Sequence, residues 1–263
     1  MAIEISPMTE ADIDGAVDVI QAAFEDDPYA NWVFDKATVK AHPLSRQPVK
    51  FNRARNRDSL TLRCHWGIAN AIFHVARDTT LDRILGVAMW LPPTNASSSL
   101  RFTLSLYTLS FRACLNNLYH RGRGGLLLHR YRIWKSAQAA AQAELWTDAR
   151  GYYFCNIVAV APEAQGRGVG RALMGEVLAR ADQEGRRCYL ESSRDVPNTA
   201  IYGRMGFEVR KVMECDDGGE KVDLFSPPSI TGTPSVRYGG RIVRKGVIYI
   251  ARSNFQRLPL FET

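Results

Sequence analysis

The stretch Gln165-Gly166-Arg167-Gly168-Val169-Gly170-Arg171 sets three glycines and two arginines between an apolar run and an amphipathic one. Upstream, Tyr152–Ala161 is continuously apolar and β-branched, bounded by Gly151 and Pro162, and reads as a buried strand. Downstream, Val169, Leu173, Val177 and Ala181 recur at four-residue steps, which predicts a helix to about Glu184 that Gly185 stops. A strand, a glycine turn and a helix together make an anion site. The first helical amides lack internal partners, the dipole favours negative charge there, and glycines let phosphate oxygens approach the backbone. Two common phosphate motifs do not fit. The dinucleotide pattern G-x-G-x-x-G meets Arg171 or Leu173 at its third glycine, and no Gly-Lys-Ser/Thr follows to make a P-loop.

A second constellation lies beyond that helix. Arg187–Ser193 reads as a strand and Val196–Met205 as a short helix, with Pro197 in its first turn and Gly206 at its end. Asn198 and Tyr202 stand four residues apart on it, before Met205-Gly206-Phe207. Together, Gln-x-x-Gly-x-Gly (Gln165, Gly168, Gly170) and the Asn198–Tyr202 pair resemble the two signatures of the GNAT acetyltransferase superfamily, in order and spacing. The resemblance is specific over about residues 152–215. It looks closest to puromycin-N-acetyltransferase-like and fungal small-molecule members, through Ala23-Phe24 with Asp27-Pro28, Val87–Pro92 and Leu190–Ser193.

That resemblance implies an α/β (α+β) fold: a mixed, mostly antiparallel sheet with central parallel, splayed strands, flanked by helices. It implies acetyl-CoA as cosubstrate and no metal. Gln165, Gly166, Arg167, Gly168, Val169, Gly170 and Arg171 would hold its pyrophosphate, Val158, Ala159 and Val160 its pantetheine arm by main-chain groups, and Asn198 and Tyr202 would lie beside it. Tyr202 would be the general acid for the departing thiolate. A phenol near 10 and a thiol near 8.5 make that transfer uphill by about 2 kcal/mol, so the donor must act by position. The implied reaction is direct acetyl transfer to the amine of a small molecule in a ternary complex. A protein lysine or N-terminus is the alternative acceptor. A non-catalytic CoA-binding module and an acyl-thioester decarboxylase are the other readings of the same fold.

An amine acceptor is mostly ammonium near neutral pH and must lose a proton. Glu191, a carboxylate in an otherwise apolar strand, is the candidate base, with a structural carboxylate as the equal alternative. Phe24, Asp27, Tyr29, Trp90, Tyr107 and Phe111 are the candidate acceptor-binding residues, although aromatic residues at such spacing more often form core.

The elements that must position these groups follow from the pattern. Residues 2–6 alternate as a strand, and Thr9–Asp12 opens a helix to about Phe24, stopped before Pro28. A short helix around Tyr29–Phe34 follows, then a polar loop over 36–57 and a helix near 58–69. Ala71–Ala76 and Ile84–Leu91 form a hairpin. The insertion at 94–148 is helical, broken at Arg121–Gly125, and both its ends lie beside the reacting centre. Its apolar side chains, Leu104, Tyr107, Phe111 and Leu118, are therefore expected to wall the acceptor pocket. An extended loop over 216–246, a last strand at Val247–Ala251 and a tail at 254–263 complete one domain spanning 1–263.

A formal net charge of +7 suits a polyanionic ligand, but the basic residues are scattered, so nucleic acid is not expected. The stretch from Leu100 to Leu118 is interrupted by Arg101 and Arg112 and is too polar to span a bilayer, so no membrane partner is expected. No leader is read at the N-terminus, and the five widely spaced cysteines suggest neither disulfide nor zinc, in keeping with a cytoplasmic monomer or homodimer.

Overall fold

A computed structural model of the protein describes residues 2–34, 51–93, 99–218 and 243–251. The strands are β1 (Ile3–Pro7), β2 (Ile72–Asp78), β3 (Arg83–Leu91), β4 (Tyr152–Val160), β5 (Arg187–Ser192), β6 (Phe207–Asp216) and β7 (Val243–Ala251). The helices are α1 (Ile13–Ala23), α2 (Pro28–Val33), α3 (Arg53–Asn70), α4 (Ser99–Tyr119), α5 (Leu128–Leu145), α6 (Val169–Gln183) and α7 (Asn198–Gly203). The strands form one sheet in the order β1-β2-β3-β4-β5-β7-β6. Every neighbouring pair is antiparallel except β4 and β5, which are parallel and joined through α6. The mixed sheet and its central parallel pair are as the sequence implies.

Close approaches show which helix covers which face. Gly86 of β3 has no room for a side chain because Val169 and Leu173 of α6 lie over it. Gly15 of α1 rests on Ile84, and Gly67 of α3 on Met89 and Phe73. Ile84 and Gly86 face opposite ways because the β2–β3 register slips between Ala76 and Arg77. Thus α6 covers one face, and α1 and α3 the other. On the side of α1 and α3, α5 adds Ala141 to a cluster with Tyr152, Phe154, Tyr189, Met213 and Ile248.

Two elements differ from the sequence reading. Helix α3 begins at Arg53, not near residue 58, because Asn52 caps it by accepting the Arg55 amide at 2.9 Å. Arg57, read as loop, instead pairs with Asp14 and Asp18 of α1. Strand β6 was not anticipated at all: a register slip at Arg210 breaks the two-residue alternation, and only Phe207, Met213 and Cys215 of its ten residues are buried. Charged side chains between them suit an edge strand. The expected loop and tail at 219–242 and 254–263, and much of the loop at 36–57, lie outside the described residues.

Helix α4 packs on α3 through Phe102, Ser105 and Asn116: Ser105 accepts from the Trp66 indole at 3.0 Å, Phe102 meets that ring edge-on, and Asn116 donates to the Arg55 carbonyl. Its opposite side carries Leu100, Leu104, Tyr107, Phe111, Cys114 and Leu118, all exposed.

Candidate active site

The parallel pairing of β4 with β5 runs only from Tyr152–Arg187 to Cys155–Leu190. Beyond it β4 continues on β3, and Glu191 and Ser192 of β5 continue on β7, so the two central strands part. The parting coincides with a bulge. Trp90 faces Cys155 and Met89 faces Ile157, which leaves Asn156 with no partner on β3.

Main-chain direction past the bulge follows from one bond. The Ala161 amide donates to the Leu85 carbonyl at 2.8 Å. Residues directed at β3 therefore alternate as Ala161, Ala159 and Ile157, and the amides and carbonyls of Val158 and Val160 are turned into the gap. Of the three residues expected to offer main-chain groups there, two are oriented to do so and Ala159 is turned to β3.

The glycine turn stands at the end of β4. Gln165 donates from Nε2 to the Val160 carbonyl at 3.3 Å, tying the turn to the strand. Gly166 and Gly168 have φ of 74° and 80°, left-handed values that disfavour any side chain, and the space where a Cβ would project is open at both. Gly168 is the N-cap of α6 and no side chain caps that helix. Val169 is buried beneath the first turn, whereas Arg167 and Arg171 are exposed. A Cβ on Gly170 would meet Val160 at 3.6 Å, an ordinary contact. An uncapped helix start, an open cradle and inward main-chain groups suit a pyrophosphate with an extended arm.

Tyr202 lies on α7 and Glu191 at the end of β5, where the strands part. Ser192 accepts from Asn198 Nδ2 at 2.8 Å, which pins the start of α7 to the end of β5. Tyr202, one turn on, is half-buried, with its ring centroid 6.1 Å from that of Phe207. Glu191 points toward α5. Its Oε1 accepts from the Tyr189 hydroxyl at 2.7 Å and Gln142 Nε2 at 3.4 Å, and its Oε2 from Gln138 Nε2 at 2.7 Å. Burial raises its proton affinity above that of an ordinary glutamate, against the lowering effect of those bonds and of nearby Lys135.

The acceptor candidates divide. Tyr29 lies against Trp134 of α5, ring centroids 4.7 Å apart, and burial raises its phenol well above the usual range. Phe24, at the end of α1, packs half-buried on the core. Asp27 is occupied as a brace: it accepts the Ala30 amide at 2.9 Å, capping α2, and the Ser193 hydroxyl beyond β5. Trp90 has no exposed surface, so it is core. Tyr107 and Phe111, 70% and 64% exposed, lie on the side of α4 away from α3, so α4 does not supply the expected wall through them. The insertion reaches the gap through α5 instead.

Sequence reasoning passed over Arg63, Lys135, Gln138, Gln142 and Asn156. Lys135, Gln138 and Gln142 follow a three- and four-residue step in an Ala-rich helix, a polar stripe that periodicity could have flagged. His74 is buried, its Nε2 3.3 Å from Glu176 and its Nδ1 without a partner among the described residues. The buried thiols stay protonated: burial pushes Cys64 and Cys188 up, to about 11 and about 12, and raises Cys155 too.

Residues 131–209, which contain most of α5, the parting strands and the glycine turn, match the acetyltransferase (GNAT) domain family. Arylalkylamine N-acetyltransferase 2 of Aedes aegypti superposes with a TM-score of 0.52 at 14% identity, over 97% of this chain and 100% of that one. The chain has the GNAT fold. The chain is also similar to the histone acetyltransferase HPA2 and related acetyltransferase of Corynebacterium glutamicum, with a TM-score of 0.49 at 20% identity over 98% and 100% of the two chains. The PaiA N-acetyltransferase of Thermoplasma acidophilum, in complex with coenzyme A, gives 0.46 at 10% identity over 96% and 100%. No curated protein sequence matches. Among the described residues, no helix of this GNAT-fold chain is long and apolar enough to cross a membrane.

Proposed function

We propose that the protein transfers acetyl from acetyl-CoA to the amine of a small molecule by direct attack in a ternary complex. The observation that carries this reading is the parting of β4 and β5 after Cys155–Leu190, with Val158 and Val160 turned into the gap beside an uncapped glycine turn. The turn from Gln165 to Arg171 binds the pyrophosphate, with the amides of α6 as donors. The Val158 amide, aimed into the gap, polarises the thioester carbonyl. Glu191, its proton affinity raised by burial, takes the acceptor's ammonium proton directly or through water. The freed amine nitrogen bonds to the carbonyl carbon, the carbon–sulfur bond breaks, the nitrogen releases its second proton to solvent, and Tyr202 gives its proton to the leaving sulfur and regains one from water. A small-molecule acceptor accords with the puromycin-N-acetyltransferase-like segments at Ala23–Pro28 and Leu190–Ser193, and with a gap reached by α3 and α5. The test is purified protein with acetyl-CoA and a panel of amines, read as free thiol. Thiol release that depends on an amine is expected. Release at the same rate without any amine would instead favour thioester cleavage without an acceptor.

A further inference from the structure

Two cations are tethered, through neutral amides, to the two residues that face each other where the strands part. Asn156 and Glu191 are the first residues of β4 and β5 after the last parallel pair. Arg63 of α3 donates from Nη1 to Asn156 Oδ1 at 3.0 Å. Lys135 of α5 donates from Nζ to Gln138 Oε1 at 2.8 Å, and the same Gln138 donates to Glu191 at 2.7 Å. The cations belong to the α1–α3–α5 face, away from the glycine turn on the α6 face. Among the described residues, neither has a carboxylate within ion-pair distance, whereas Arg57, six residues before Arg63 on α3, is held by Asp14 and Asp18.

Resting on the acetyltransferase reading, we infer that the acceptor is an amine that also bears a carboxylate, which Arg63 and Lys135 hold while its nitrogen lies toward Glu191. Like charges with no carboxylate at ion-pair distance among the described residues are unfavourable at one mouth until an anion arrives, and Lys135 feels it: burial and Arg63 lower its proton affinity, against the raising effect of Glu191. A carboxylate offers two oxygens, one matched to the planar guanidinium and one to the ammonium. The same charges select against simple amines, since a free ammonium meets two cations and one carboxylate, whereas a zwitterion brings no net charge.

The test compares matched acceptors with and without the carboxylate: phenylalanine against 2-phenylethylamine, leucine against isoamylamine, lysine against cadaverine. For the native protein, kcat/KM is expected to favour the amino acid of a pair. Arg63→Met and Lys135→Met remove the charge but keep the stem, and neither residue belongs to the core, so the fold tolerates them. Each should lower kcat/KM for the amino acid roughly ten- to hundred-fold, the weight of a hydrogen bond to a charged group, and narrow the ratio within the pair. KM for acetyl-CoA should stay constant. Native turnover confined to the carboxylate-free amines overturns the assignment, as does an equal loss on both members of a pair. A rise in KM for acetyl-CoA alone overturns it too, because the cations would then serve the cofactor. No turnover with any amine, acid or not, removes the acetyltransferase reading with it.

Discussion

Gln138 donates to Glu191 through Nε2 at 2.7 Å and accepts from Lys135 through Oε1 at 2.8 Å, so one amide joins a carboxylate of the sheet to a cation of the insertion. That amide has one orientation only, because turning it would face its NH₂ to an ammonium and its carbonyl to a carboxylate. Gln138 is buried, so either mismatch would be costly. The insertion is thereby tied to the reacting centre by α5, although its apolar helix α4 lies elsewhere.

Gln138→Leu should therefore act on the chemistry as well as on stability. It removes one donor from Glu191 and frees Lys135, so the proton affinity of Glu191 should rise further. The acidic limb of the pH–rate profile is expected to move to higher pH, with KM for acetyl-CoA unchanged. A variant that only melts earlier, its limb unmoved, would make Gln138 structural.

Glu191→Gln tests the base itself. The acidic limb should vanish, and the pH-independent rate should fall roughly 10²–10⁴-fold if proton transfer limits turnover. Stability has its own sign. A carboxylate whose folded-state proton affinity is raised supports the fold below the ordinary glutamate value of about 4.3, and that support is lost as pH climbs to the raised value. Relative to Glu191→Gln, the native protein should thus lose melting temperature across that interval as pH rises. A difference in Tm that does not change with pH there would mean that Glu191 titrates as an ordinary glutamate.

What the sequence made legible was main chain. The strand before Gln165, the helix after Gly168 and the parallel partner at 187–192 follow from apolar period and glycine placement, and the structure has them at nearly those bounds. Local pattern fixed them, so local reasoning found them. The groups brought together across the chain were not legible in that way. Arg63 and Asn156 stand 93 residues apart in sequence, and Gln138 and Glu191 stand 53 apart. Their meeting depends on α3 and α5 crossing the same face, which no short-range period encodes. Tyr107 and Phe111 misled for a related reason: an apolar stripe says that a helix has a face, not what that face meets.

Tyr202→Phe should lower kcat roughly 10²–10⁴-fold and leave acetyl-CoA affinity nearly constant, since the ring that packs near Phe207 is kept and only the hydroxyl is lost. Full activity in that variant would take Tyr202 out of the chemistry.

Tyr107→Ala and Phe111→Ala should leave both Michaelis constants unchanged. Each side chain is exposed on the side of α4 that does not pack on α3, and such surface changes usually alter stability by under about 0.5 kcal/mol. A rise in the acceptor KM alone would return α4 to the pocket.

The glycine turn permits a test in which the helix and its ligand respond oppositely. Acetyl-CoA at a hundred-fold excess over Kd should add about 2.7 kcal/mol, which for a chain of this size raises Tm by about 5–10 °C. Gly168→Asp would confound the result, because φ of 80° strains any side chain there. Gly170→Asp does not share that problem: it lies inside α6, and its Cβ would meet only Val160 at 3.6 Å. A carboxylate in the first turn suits the helix dipole by about 0.3–1 kcal/mol, against the loss of a glycine from a helix, so the unliganded protein should melt no earlier than the native one. The same negative charge stands where the pyrophosphate must bind, so the shift with acetyl-CoA should disappear. An unliganded Tm held or raised, together with a lost shift, identifies an anion site at the start of α6. A shift that survives Gly170→Asp would place the cofactor's phosphates elsewhere, and no shift in the native protein would end the cofactor assignment altogether.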